Sequence, residues 1–167
     1  HMFREMRRKR QLLPQEQALE ILENGTSGVL ALSGDGGYPY RVPMSYVYND
    51  GTIYFHCAKA GHKIDAIRSC DKASFCVTGQ DNVVPGEYTT YFRSAIAFGR
   101  IRVIEDDAEK RSAIECLAAK YTPDDEKGRM EEIDKEYRAL CMLEFVIEHL
   151  TGKEAIELVR KREADTQ

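Results

Sequence analysis

The residues Tyr54-Phe55-His56-Cys57-Ala58-Lys59-Ala60-Gly61-His62-Lys63 hold the densest cluster of reactive side chain types in the sequence. The basic pair His62-Lys63 falls where an apolar strand gives way to a helix. The first amides of a helix lack intrahelical partners and the helix dipole is positive there, so such a place attracts a phosphate, and Lys63 and His62 would add charge. Gly61 lets the backbone come close to a ligand. Read alone, the segment fits a solvent-exposed basic loop equally well. His56 alone is an ordinary strand histidine, and Cys57 a small buried hydrophobe. The aromatics Tyr88, Tyr91 and Phe92 read as barrel core or subunit interface. The histidines and carboxylates are dispersed and give no metal-ligand spacing, and the chain has no P-loop, nucleophile elbow or dinucleotide fingerprint.

The elements that must position these residues follow from patterning. Pro14 opens a helix whose apolar face is Ala18, Leu19, Ile21 and Leu22, and Asn24-Gly25 ends it. Val29 to Leu32 is a buried strand, and Gly34-Asp35-Gly36-Gly37 turns it back. The next strand, Tyr38 to Tyr48, contains Pro39 and Pro43. Proline cannot donate to a ladder, so this strand lies at an edge or faces something other than a strand, such as a ligand. Asn49-Asp50-Gly51 makes a second hairpin into Thr52-His56. A short helix from Ile64 ends near Cys70, and Ala73 to Thr78 is a further strand. Thr89 to Ile104 is one or two strands bent near Gly99. Helices are expected at Ala108 to Lys120 and Asp125 to Leu140, and a last strand at Leu143 to Ile147. Thr151-Gly152-Lys153-Glu154 introduces a final helix that dissolves into a charged tail at residues 161–167. Six or seven short antiparallel strands with appended helices pack most economically as a mainly β small barrel.

The chain of 167 residues suits one domain, taken as residues 2–160, and its 43% hydrophobic and 31% charged residues are globular composition. A net charge of -4 with dispersed basic residues excludes a field that would recruit nucleic acid. The basic run Arg4 to Arg10 reads as a solvated lead-in to the first helix. Five cysteines without a CxxC pair suit reduced thiols and a cytoplasmic compartment. No stretch is apolar for the length of a membrane span. His1 before Met2 reads as the remnant of an expression tag.

The same residues resemble the pyridoxamine 5′-phosphate oxidase superfamily. Phe55-His56-Cys57 with His62-Lys63 is similar to the strand and basic pair that hold the FMN phosphate there. Gly37 to Ser45 is similar to the preceding strand, which runs along the isoalloxazine ring, and Thr90 to Gly99 to the later strand. Met2 to Arg8, Gly61 to Ile67, Tyr91 to Ser94 and Thr151 to Ala155 resemble the branch related to nitroimidazole-resistance proteins, so the likeness spans about Met2 to Leu158. It implies a Greek-key FMN-binding split barrel and a homodimer with FMN at the subunit interface. It puts Arg41, Val42, Pro43, Phe55, His56, His62, Lys63 and Ser94 near FMN, with His56 or His62 acting on substrate. The implied activity is a flavin-dependent reductase that passes electrons to a small electron-poor acceptor such as a nitroimidazole. With no Rossmann unit to hold it, NAD(P)H would dock only transiently as donor. The chain lacks tryptophan and the C-terminal aromatic and arginine residues of the vitamin B6 oxidases, which argues against that reaction. The rival reading is a carrier or sensor of FMN or haem without catalysis.

Overall fold

A computed structural model describes residues 2–166, and the tag reading of His1 lies outside them. Seven strands form one antiparallel sheet: β1 (Ser27–Ser33), β2 (Pro39–Ser45), β3 (Val47–Asn49), β4 (Thr52–Ala58), β5 (Lys72–Val84), β6 (Thr89–Val103) and β7 (Leu140–Glu154). Their order is β2-β1-β5-β6-β7-β4-β3. The two outermost strands, β2 and β3, are consecutive in the chain and separated only by Tyr46. A sheet whose opposite margins share one residue must curl until they meet. It is therefore a barrel closed by the chain at one corner and left split where β2 and β4 diverge.

The Tyr46 backbone has no ladder partner at this corner, and side chains supply one, as burial demands. Its N–H donates to the Tyr121 hydroxyl at 3.0 Å, and its carbonyl accepts from Lys120 Nζ at 3.0 Å. Its own phenol donates to the Leu22 carbonyl at 2.6 Å. Burial raises the Tyr46 phenol's pKa, keeping it protonated as a donor, and lowers that of Lys120.

Inward-facing side chains alternate large and small to fill the barrel. Phe75 faces Ala97 and Val77 faces Ala95 across β5 and β6, while Phe55 faces Leu143 and Ile53 faces Phe145 across β4 and β7. Helix α1 (Gln15–Asn24) leads into the start of β1, and α2 (His62–Ser69) lies by its end. Both sink an apolar face into the same core, Ala18, Ile21 and Leu22 from one and Ile64, Ala66 and Ile67 from the other. Helices α3 (Asp107–Tyr121) and α4 (Glu126–Glu136) build a second core on the outer face of β3, β4 and β7, around Val47, Ile114, Leu117, Ile133 and Met142.

The mainly β barrel and both early hairpins agree with expectation. In the turn between β3 and β4, Asp50 and Gly51 take φ of 46° and 83°, the positive pair that a two-residue hairpin requires. β2 is an edge strand, with Pro39 and Pro43 opposite Ser33 and Val29. β6 shifts register between Phe98 and Gly99, at the expected bend.

Several expectations need correction. The strand expected from Tyr38 to Tyr48 is two strands, broken at Tyr46 so that β2 and β3 take opposite margins of the sheet. Thr151 to Glu154 do not start a helix; they extend β7, pairing with Ile96, Ala95, Ser94 and Arg93 in turn. The Glu154 carboxylate, 1% exposed, is clamped by Arg93 at 3.1 Å and by Arg162, so a tertiary ion pair overrides a helix-start motif. The helix α5 (Ile156–Asp165) begins later and runs through most of the charged tail, with Arg10 bound to Glu163 at 2.6 Å. α4 stops at Glu136 because Leu140 is already in β7, and β5 continues to Val84 across a bulge at Gly79.

Candidate functional site

The split between β2 and β4 is where the chemistry-bearing residues gather. β2 pairs only with β1, and β4 beyond Tyr54 pairs only with β7, so each strand presents a free edge. The tight connection after Ala58 lays the first turn of α2 across this gap. Gly61, at φ 132°, makes the reversal, and a Cβ there would meet no atom within 4 Å, so the backbone is open to an approaching group.

Side chains then divide by strand alternation. Lys63 Nζ lies 3.6 Å from the Met44 sulfur on β2 and close enough to His56 and Cys57 on β4 to act on their ionisation. His62 turns the other way. Its ring stacks on Tyr40 with centroids 4.0 Å apart, and its Nε2 lies 3.9 Å from an Asp35 carboxylate oxygen. Arg41 and Pro43 point outward from β2, and Arg41 makes no ion pair among the described residues. Val42 is half-buried and Phe55 fully buried in the core, so it is their backbones that could meet a ligand.

Ser94 is not brought to this place. It sits on β6, three strands along from β2, between Thr78 and Lys153. With strands about 4.8 Å apart, it lies on the order of 14 Å along the sheet from β2.

His56 faces outward from β4 beneath α3 and α4. Burial, and secondarily the positive charge of Lys63, holds its pKa below the ordinary histidine value, leaving a neutral imidazole at pH 7. Cys57 faces the interior directly opposite Cys141 on β7, and burial with this second thiol raises its pKa. Protonated thiols are poor nucleophiles, so the pair reads as packing. Among the described residues, no three His, Cys, Asp or Glu side chains gather to hold a metal ion, and no helix is long and apolar enough to cross a membrane.

Beyond the end of the split, Ser45 and His56 form part of the lining of a cleft of about 510 Å³ walled by α3 and α4. No local pattern in the sequence points to it. Leu117, Ile133 and Glu136 read as ordinary positions of amphipathic helices, and only the barrel corner puts their helices against β4.

The sequence that folds into this split barrel matches a known family. The model of the pyridoxamine 5′-phosphate oxidase family aligns with residues 14–154, most of the chain. The chain belongs to this family. Solved structures share its fold. A candidate 5-nitroimidazole antibiotic resistance protein from Bacteroides thetaiotaomicron is 23% identical, with a TM-score of 0.73 over 86% of each chain. A FAD-binding protein from Mesorhizobium loti is 24% identical, with a TM-score of 0.64 over 86% of this chain and 96% of that one. An FAD- and haem-binding protein from Mycobacterium smegmatis is 24% identical, with a TM-score of 0.70 over 85% of this chain and 71% of that one. No curated protein matches.

Proposed function

We propose that the chain binds FMN at the split and works in the cytoplasm as a flavin-dependent reductase toward a small electron-poor acceptor such as a nitroimidazole. One observation carries this reading: the two free strand edges face each other beneath the first turn of α2, with Lys63 between them. Lys63, His62 and the first amides of α2 fit a phosphate, and Arg41 adds an unpaired cation. The exposed backbone of Arg41 to Pro43 offers donors and acceptors along a flat ring, and Pro39 and Pro43 keep that edge from recruiting another strand. Bound there, a flavin supplies electron transfer, and the protein supplies position and access. His56, neutral at pH 7, can donate a hydrogen bond from its ring N–H to an acceptor held beside it, or take up a proton there.

A homodimer completes this reading. Ser94 sits on β6, three strands along the sheet from β2, so a second copy would be the one to bring its Ser94 to the split. The outer face of the sheet suits such a contact. Pro43, Val29, Cys76, Ile96 and Thr151 form one cross-strand row, and Val29, Ile96 and the neighbouring Phe98 are 38%, 40% and 40% exposed. NAD(P)H would dock transiently as donor.

A carrier or sensor of FMN or haem is the second reading, favoured by the fold likeness to the Mycobacterium smegmatis protein that binds FAD and haem. The absorbance spectrum of the purified protein, with the cofactor identified after denaturation, tests both. Flavin bands, with reoxidation by metronidazole faster than that of free reduced FMN in anaerobic stopped flow, support the reductase. A bound flavin that no cellular donor reduces supports the carrier.

A further inference from the structure

The cleft beside His56 adjoins the split and has a lining of its own. Its walls are apolar: Ile114 and Leu117 from α3 and Ile133 from α4, all buried in the second core. Its inner end is Ser45, the last residue of β2, and His56 on β4, so it opens where the split ends. At about 510 Å³ it falls in the size range of small-molecule sites.

The charged side chains of its lining have one sign, and the nearest cations, Lys63 and Lys120, are engaged with other groups. Glu132 and Glu136, one helical turn apart on α4, are the ionisable carboxylates of the lining, and neither makes a salt bridge among the described residues. No lysine or arginine lines the cleft. Lys120, adjacent in sequence to the lining residue Tyr121, is turned to the Tyr46 carbonyl, and Lys63 to Met44. The Tyr121 hydroxyl is occupied by the Thr26 carbonyl at 2.6 Å and the Tyr46 N–H. Like charges at this helical spacing repel, and a bound cation relieves that repulsion. An anionic guest, haem with its two propionates included, meets the same carboxylates unfavourably.

We propose that this cleft binds a small planar aromatic cation, with its ring against Tyr121, Ala118 and Leu140 over the buried Leu117 and Ile133 and its charge toward Glu132 and Glu136. The inference depends on the flavin reading only for what happens to the guest afterwards, namely that the end near His56 would present it to the split.

The test is calorimetric titration of the full chain with three probes of similar ring area: 1-methylquinolinium, quinoline and 2-naphthoate. The cation should bind most tightly and the anion least. Glu132→Gln and Glu136→Gln, both on the helix surface, should each weaken 1-methylquinolinium by about two- to fivefold and leave quinoline unchanged. Leu117→Trp should abolish binding of both while FMN affinity is retained. Equal affinity for cation and anion, or unchanged cation binding in the double glutamine variant, overturns the proposal. Competitive displacement of 1-methylquinolinium by FMN also overturns it, since the cleft would then be the flavin's own, and the flavin reading would survive. Selective cation binding by a protein that takes up no FMN upholds the cleft and removes the flavin reading.

Discussion

The ammonium of Lys63 lies 3.6 Å from the sulfur of Met44, which ties the first turn of α2 to the edge strand across the split. A soft sulfur is a weak partner for a cation, so this lysine holds its position without a competing carboxylate and its charge stays available to a ligand.

Lys63→Ala should therefore weaken FMN binding while leaving the fold intact. A charged hydrogen bond at a partly exposed site contributes about 1.5 to 3 kcal/mol, so a tenfold to hundredfold rise in Kd is expected. Fluorescence titration with FMN, with circular dichroism as control, measures it, and an unchanged Kd removes Lys63 from the site.

His56 should titrate below its ordinary pKa of 6.5, and Lys63→Met should move it back up by removing the nearby positive charge. The linkage has a definite sign. A base that holds its proton less tightly when folded makes the unfolded chain the better proton binder, so stability rises with pH through the window just below 6.5 and falls on acidification. Proton NMR of the imidazole and denaturant melts at several pH values check both, and a slope unaltered in His56→Gln would contradict the assignment.

Gly99→Ala should destabilise the barrel. A Cβ there would run into the Val146 carbonyl, and the obstacle is backbone, which cannot rotate away. Overpacking of this kind costs about 1 to 3 kcal/mol, or roughly 2 to 12 °C in Tm for a chain of this size. Differential scanning calorimetry reads it directly.

Ile96→Glu should shift the protein from dimer to monomer, because it puts a charge in the centre of the exposed apolar row. Sedimentation velocity at micromolar concentration reports the state. If Ser94 of the second copy completes the site, FMN affinity should fall in the same variant. A wild-type monomer that binds FMN would refute the shared site.

The sequence made the barrel legible where side-chain alternation and turn chemistry agree, as in Val29 to Leu32 and in Asn49-Asp50-Gly51. It failed where long-range pairing overrides local preference. Gly79 to Asn82 look like a turn, yet they lengthen β5 because β6 is there to pair with them. Glu154 looks like part of a helix start, yet two arginines distant in sequence bury it in a strand. The basic turn at Gly61 to Lys63 was readable because strand, glycine and charge lie within a few residues. The cleft was not, because its walls come from helices more than fifty residues away from His56 and are positioned by tertiary contacts such as those of Lys120 and Tyr121.

The single residue joining β2 to β3 gives the wall of this molecule a hinge where other barrels have a zipper. Since no strand ladder spans the seam, its margins can part by flexing the sheet about Tyr46 without unpairing a strand. The aperture is then governed by the contacts of one corner, and because the Tyr46 ring packs on Phe75 in the core, repacking the interior there would alter its width. Guest size and thermal stability thus meet at one residue, and a substitution at Tyr46 would change both.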